Sequence, residues 1–307
     1  MHPSDAGWPV TRALSGAAFG TLLLIALMMG ANHVAARFAF NDGVDVATAV
    51  AARSIVTVLV VFTILAVQRA RPRFTSRHRR ILPAIGLLIG VQSLCLYSSV
   101  ARLPVALALL AFNTYPLWTA LWDWVVYRHV PHRTLLIAMP MILLGLVLAL
   151  DVFGAASGLG AAGQWASIGV GVVFALLAAA TFGLALVLTQ HEAGDVDGRV
   201  RTVTTLAIVG LLAGLAVATQ GGPHLPRSAA GWQGLAALIF LYGTAFTIMF
   251  TVLPRLGVVG NSAIMNVEPI FALLLAWWLL GQTIAPTQVT GGLIVVAAVV
   301  TLGLRRR

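Results

Sequence analysis

Few side chains in this sequence can do chemistry, and several stand where polar groups are costly. Glu268 lies near the middle of a long apolar stretch, directly before Pro269. A carboxylate at that depth must pair, line a wet cavity or exchange a proton. It is therefore a candidate for proton coupling or for holding a cationic ligand group; a structural carboxylate bonded to a neighbouring helix is the competing reading. Arg53, inside the second apolar stretch, must snorkel, pair or face water, with Asp42, Asp45 and Glu268 as candidate partners. Asn32 and His33 sit in the outer half of the first stretch, where an imidazole either meets a ligand or is buried and hydrogen-bonded. Gln92, Ser93 and Tyr97 recur roughly a turn apart, as one polar face would. Tyr115, Trp118 and Tyr242 are candidate aromatic walls, with plain packing as the alternative. Asn113 and Asn266 each stand three residues before a proline, Pro116 and Pro269. A proline within a helix removes a hydrogen bond and frees a carbonyl one turn earlier, giving a kink, a hinge or a ligand contact.

The elements that must position these groups are set by composition. The 307 residues are 60% hydrophobic and only 9% charged, against about 25% charged in soluble domains. Too few charges exist to cover a soluble surface of that size, whereas a lipid-facing surface needs none. Ten stretches reach or approach the roughly 20 apolar residues that cross a bilayer core. They run over 14–36, 46–67, 82–100, 104–124, 134–152, 166–189, 200–219, 232–252, 257–280 and 286–304. They are continuously apolar rather than alternating, which selects helices over barrel strands. The expected fold is an all-α integral membrane bundle of ten transmembrane helices.

The formal net charge of +10 does not point to nucleic acid, because the arginines sit between apolar stretches and mark one side of a membrane. Placing the N-terminus in the cytoplasm puts on the inner side Arg12, the cluster from Arg69 to Arg80, Arg128, Arg133, Arg199, Arg201, Arg255 and Arg305 to Arg307. Only Arg37, Arg102 and Arg227 then lie outside. Both termini are therefore expected to be cytoplasmic and the chain to reside in the cell (inner) membrane. Arg12 ahead of an apolar run resembles a signal peptide, but no small-residue cleavage site follows, so an uncleaved first span is expected. Cys95 is the single cysteine and permits no disulfide within the chain.

Shifting the chain by 153 residues superimposes its halves without a gap. Arg102-Leu103 falls on Arg255-Leu256, Asn113-x-x-Pro116 on Asn266-x-x-Pro269, and Trp124 on Trp277; Gly30 meets Gly183 and Gly90 meets Gly243. With five spans per half, an odd number, the second copy enters the membrane upside down. Residues 1–153 and 154–307 are thus expected to be two inverted five-helix repeats. That architecture is the mark of secondary transporters, whose sites lie at the repeat interface near the midplane.

Several strings carry a family resemblance: Met-Gly-Ala-Asn-His-Val-Ala-Ala-Arg from Met29, Ala-Ala-Arg-Ser from Ala51, Pro-Arg-Leu-Gly-Val-Val-Gly-Asn-Ser-Ala from Pro254, and Asn-Val-Glu-Pro followed by an apolar run to Gln282. Together they resemble the EamA-type ten-helix permeases of the drug/metabolite transporter superfamily, over nearly the whole chain. The chain departs from that pattern where the family often ends its fourth and ninth helices with Glu; Arg128 and Gln282 stand there instead. The resemblance implies export of amino acids or related metabolites, as in exporters of aromatic and neutral amino acids.

No phosphate-binding glycine loop, metal-ligand spacing or nucleophile–base set is legible, so no cofactor, metal or ATP-driven step is expected. The expected partners are a small-molecule substrate and the lipid bilayer, with a proton as the candidate coupling ion. The expected mechanism is alternating access around a polar midplane cavity. An intramembrane enzyme would need an acid/base or metal cluster near an interface, and a scaffold would have a filled interior. Gly86-x-x-x-Gly90 and Gly210-x-x-x-Gly214 are read as close-packing motifs, not as dimerisation signals.

Overall fold

The computed structural model describes residues 16–68, 75–130, 133–155, 158–252, 267–282 and 285–305. Among them the chain forms only helices: α1 (Gly16–Asn41), α2 (Val46–Val67), α3 (Ser76–Val100), α4 (Val105–Phe112), α5 (Tyr115–Tyr127), α6 (Arg133–Ala149), α7 (Gly160–Glu192), α8 (Gly198–Thr219), α9 (Ala229–Thr251), α10 (Glu268–Leu280) and α11 (Pro286–Arg305). Seven segments are long and apolar enough to cross a membrane, with α4 and α5 together counting as one, and α6, α10 and α11 are shorter apolar helices. This is the expected all-α membrane bundle.

Two expectations change in detail. The fourth span is divided rather than kinked. α4 ends at Phe112, Asn113 and Thr114 form a turn, and Pro116 stands in the first turn of α5. Proline is favoured there, because its missing N–H would have no partner in any case. Pro269 likewise stands in the first turn of α10. The connection between the expected fifth and sixth spans, 134–152 and 166–189, is shorter than those bounds imply. α7 already begins at Gly160, since alanine is the strongest helix former and offsets nearby glycines. Gln164 then anchors the new helix by donating from Nε2 to the Leu150 carbonyl at 3.0 Å.

Side chains around the bundle confirm a lipid-facing exterior. Leu59, Phe62, Ile137, Val170, Leu211 and Phe240 are all more than half exposed, an apolar surface that water would not tolerate. Polar caps close the helix ends. Asp45 caps α2 through the Thr48 N–H at 2.9 Å. Thr75 and His78 form a capping box at α3, and Ser228 caps α9 through the Gly231 N–H. Asp42 reaches across to the same helix entry and accepts from the backbone N–H groups of Arg227 (2.7 Å) and Ser228 (2.8 Å).

The packing reveals the repeat in three dimensions. α1 packs on α9 and α10, and α7 packs on α3 and α5; α2 pairs with α8, and α6 with α11. Each of these pairings joins the first half of the chain to the second, and a shift of 153 residues carries one set into the other. Gly30 lies where an added Cβ would stand 3.1 Å from the Ala272 nitrogen, with Phe271 beside it. Gly183, its counterpart, faces Thr119 and Trp118, the counterparts of Ala272 and Phe271, at 2.8 and 2.9 Å. Glycine at both places lets the backbones touch. Gly86 and Gly90 make room for the Ile208 and Leu212 side chains, whereas Gly214 faces open space.

Candidate functional site

Six of the expected site residues converge where α1, α2, α3, α9 and α10 meet. Glu268, first residue of α10, places Oε1 3.3 Å from His33 Nε2 on α1. The neighbouring Asn32 exchanges hydrogen bonds with Tyr97 on α3: its Nδ2 donates to the phenol oxygen at 2.7 Å, and the phenol donates to Oδ1 at 3.1 Å. The His33 ring tilts against the Tyr97 ring at 5.2 Å. Arg53 on α2 lays its guanidinium over two rings, 4.5 Å from the Tyr97 centroid and 3.9 Å from that of Tyr242 on α9. Asn32, His33, Arg53, Tyr97 and Tyr242 are all buried; Glu268 is one-fifth exposed. The first turn of α10 brings the carboxylate close to helix N–H groups and the positive end of the helix dipole, which favour an anion.

The arrangement corrects the expected pairing of Arg53. Asp42 and Asp45 are committed to the caps described above, and Asp45 also lies 3.3 Å from His224 Nδ1. Arg53 is held instead by aromatic faces, whose quadrupoles attract a desolvated cation strongly. Among the described residues, His33 Nδ1, Arg53 Nε and, beside Arg53, Ser54 Oγ have no hydrogen-bond partner; such atoms are uncommon in folded interiors.

The other candidates are placed elsewhere. Gln92 is buried and accepts from the Ser93 hydroxyl at 3.3 Å. Asn113 is buried at the α4–α5 break, with Nδ2 unpartnered among the described residues. Tyr115 joins Phe112 and Phe182 in a ring cluster, at 5.7 and 5.2 Å, and Trp118 packs against Gly183. Asn266 lies outside the described residues. The 153-residue shift explains the separation: Tyr115 is the counterpart of Glu268, and Ala185, Leu186 and Leu206 are those of Asn32, His33 and Arg53. One repeat junction is thus polar and its mate is aromatic and apolar.

The expected open polar cavity is not what the described residues enclose. A cavity of about 40 Å³ between α4, α10 and α11 is lined by Leu107, Leu110, Pro269, Leu273 and other apolar groups, with Gln288 at its edge. A wider groove of about 340 Å³ between α2 and α8 is lined by Ile55, Leu59, Leu206 and Leu211 and faces lipid. Neither includes Glu268, His33 or Arg53.

Sequence reasoning missed Ser54 and Thr57, both fully buried beside Arg53; small hydroxyls in an apolar helix give no signal until the helix face is known. Trp122 Nε1 donates to the Ala180 carbonyl at 3.0 Å, tying α5 to α7. Gln282, where a Glu was expected from the resemblance, accepts the Val105 N–H at 3.1 Å and caps α4.

A lipid-facing helical bundle with interleaved, inverted halves and a buried polar junction defines a polytopic membrane protein of the inverted-repeat transporter class. The EamA-like transporter family model matches residues 16–150 and again 169–304, and the chain belongs to that family. It is therefore a membrane transporter of the drug/metabolite superfamily, expected to move small molecules across the bilayer. No curated relative matches the sequence. Among solved structures 14 chains match, one of them a crystal structure with TM-score 0.62 and 18% identity over 93% of this chain and 98% of that one. At that identity the likeness concerns the fold.

Proposed function

We propose that the protein is a secondary exporter of amino acids or closely related metabolites, working by alternating access, and that the junction of Glu268, His33, Asn32, Tyr97, Arg53 and Tyr242 is where substrate and coupling proton act. The observation that carries this reading is the presence of groups of opposite charge, Glu268 and Arg53, within one largely buried cluster. Glu268 offers an anion for a substrate amine, Arg53 a cation for a carboxylate, and Tyr97 and Tyr242 a wall between them. A zwitterion complements that set. A phosphate-rich ligand would want several cations, and Arg53 is the single one in the cluster.

The 3.3 Å contact between Glu268 and His33 supports coupling, since it sets two proton-carrying groups side by side in the cluster. Because the repeats interleave, the bodies that move against one another each combine helices from both halves. The break before Pro116 is a natural hinge point for such movement, and Pro269, in the first turn of α10, is its counterpart. The arginine distribution supports cytoplasmic N- and C-termini and an inner-membrane location. A drug or other metabolite within the same superfamily is the second reading, favoured if the aromatic faces dominate recognition. An intramembrane enzyme or a scaffold is disfavoured by family membership.

Counterflow in proteoliposomes with labelled neutral and aromatic amino acids tests the proposal. Saturable uptake of one class, absent from empty liposomes, is expected. Failure of the whole panel, together with uptake of an unrelated metabolite or cationic drug, would overturn the amino-acid reading.

A further inference from the structure

From a second polar cluster, at the C-terminal ends of α5 and α7, we infer a binding site for a divalent transition metal of the zinc class, made by Asp123, His129 and His191. His191 Nε2 stands 2.9 Å from Asp123 Oδ1 and His129 Nδ1 stands 3.3 Å from the same oxygen. All three ligand atoms lie within 4.8 Å of one another. A tetrahedral ion bound at about 2.0–2.2 Å spaces its ligand atoms by roughly 3.3–3.5 Å. The three groups therefore need only small side-chain shifts to close around one. Two imidazoles and one carboxylate suit a borderline ion such as Zn²⁺ over Mg²⁺ or Ca²⁺, which prefer oxygen sets. The His129 ring is 59% exposed, which gives the ion a path in and leaves a fourth position to water.

The surroundings hold these ligands in place. The Tyr127 ring stacks on His191 at 4.0 Å, and its hydroxyl donates to Glu192 at 2.7 Å. Glu192 also takes Arg77 at 2.6 Å, so that cation is already engaged, and Arg77 Nη2 fixes the His191 carbonyl at 2.8 Å. The backbone turn is telling. Arg128 adopts a left-handed conformation, φ 61°, which side-chain-bearing residues avoid. Its counterpart 153 residues on is Gly281, φ 64°, where the same turn is free of strain. In the first half the turn closes His129 N onto the Asp123 carbonyl and brings the imidazole over the carboxylate. Strained non-glycine turns cluster at functional sites. The counterparts of Asp123 and His129 are Ala276 and Gln282, so the site belongs to one repeat alone. An ion there would clamp α5 to α7 at that end of the bundle.

The test uses the full-length protein in detergent with any histidine tag removed. Co²⁺ is titrated while visible absorption is followed, then Zn²⁺ is added. One equivalent of tetrahedral Co²⁺ bands, displaced by Zn²⁺, is expected. Asp123→Asn and His191→Ala should each weaken binding by at least about 10- to 100-fold, the loss that even outer-shell changes produce at metal sites. Should His191→Ala fail to fold, His129→Ala reports the same loss from a mostly exposed position. Zn²⁺ should also raise the thermal midpoint of the unaltered protein and leave that of His129→Ala unmoved. Absence of Co²⁺ bands overturns the assignment, as do bands that persist unchanged in Asp123→Asn and His129→Ala.

Discussion

The double stacking of Arg53 makes a quantitative prediction. Its guanidinium is 2% exposed, has no carboxylate beside it among the described residues and lies over the Tyr97 and Tyr242 faces. A desolvated cation over a ring gains about 2 kcal/mol per face. Tyr242→Phe keeps the face and loses only the hydroxyl; Tyr242→Leu loses the face. The leucine variant should therefore be less stable than the phenylalanine variant by about 2 kcal/mol. Part of any such gap reflects lost ring volume, so the comparison is repeated on an Arg53→Met background, where no cation remains. The gap should shrink there by roughly 1–2 kcal/mol, the coupling expected of residues in direct contact. Tyr97 is the poorer probe, because its hydroxyl is also exchanged with Asn32. Reversible unfolding in mixed micelles, following tryptophan fluorescence against mole fraction of SDS, measures all four variants. Equal stability of the leucine and phenylalanine variants, or a gap unchanged by Arg53→Met, would refute the reasoning and leave the rings as packing alone.

Three further outcomes are expected. Glu268→Gln should fold and insert normally yet lose transport or its dependence on pH; transport unchanged across pH would remove Glu268 from the mechanism. Gly183→Ala should destabilise by about 1–3 kcal/mol, as overpacking does, because its new methyl meets the Thr119 backbone at 2.8 Å. Gly210→Ala, with only ordinary contacts at 3.6 Å, should gain up to about 1 kcal/mol of helix propensity, and the reverse order in thermal unfolding would sink the close-contact argument. Hydrogen bonds from the Ser228 backbone, with those of Arg227, hold the Asp42 carboxyl below its ordinary range. Its stabilising effect is then present above the unfolded carboxyl value and is lost as pH falls through the lower folded one. The thermal midpoint of the unaltered protein should drop in acid more than that of Asp42→Asn; parallel pH profiles would show the cap to be inert.

What could be read from sequence followed the physics of each level. The bounds 46–67 of α2 follow from hydropathy because Asp45 and Gln68 flank an apolar run whose one charge is Arg53. The inverted repeat was legible from Arg102-Leu103 and Asn113-x-x-Pro116 recurring at one offset. The break in the fourth span was not, since a proline marks a disturbance without saying whether the helix bends or restarts. Glu268, His33, Asn32 and Arg53 could be named because polar groups in lipid are rare. Their partners could not, because an aromatic face that holds a cation looks like any other Tyr in an apolar helix. Asp123 and His191 are 68 residues apart, and only the packing of α5 on α7 brings them together.

The interleaving of the halves also bears on how the chain is made. The chief packing faces of α1, α2 and α3 are complemented by α7, α8, α9 and α10, none of which exists when the first repeat leaves the ribosome. At about 5–20 residues per second, the nascent bundle waits on the order of 10–30 seconds for the second repeat to complete its interfaces. During that interval Arg53 and His33 lie in the bilayer without Tyr242 and Glu268. Neither repeat, then, completes its packing without the other.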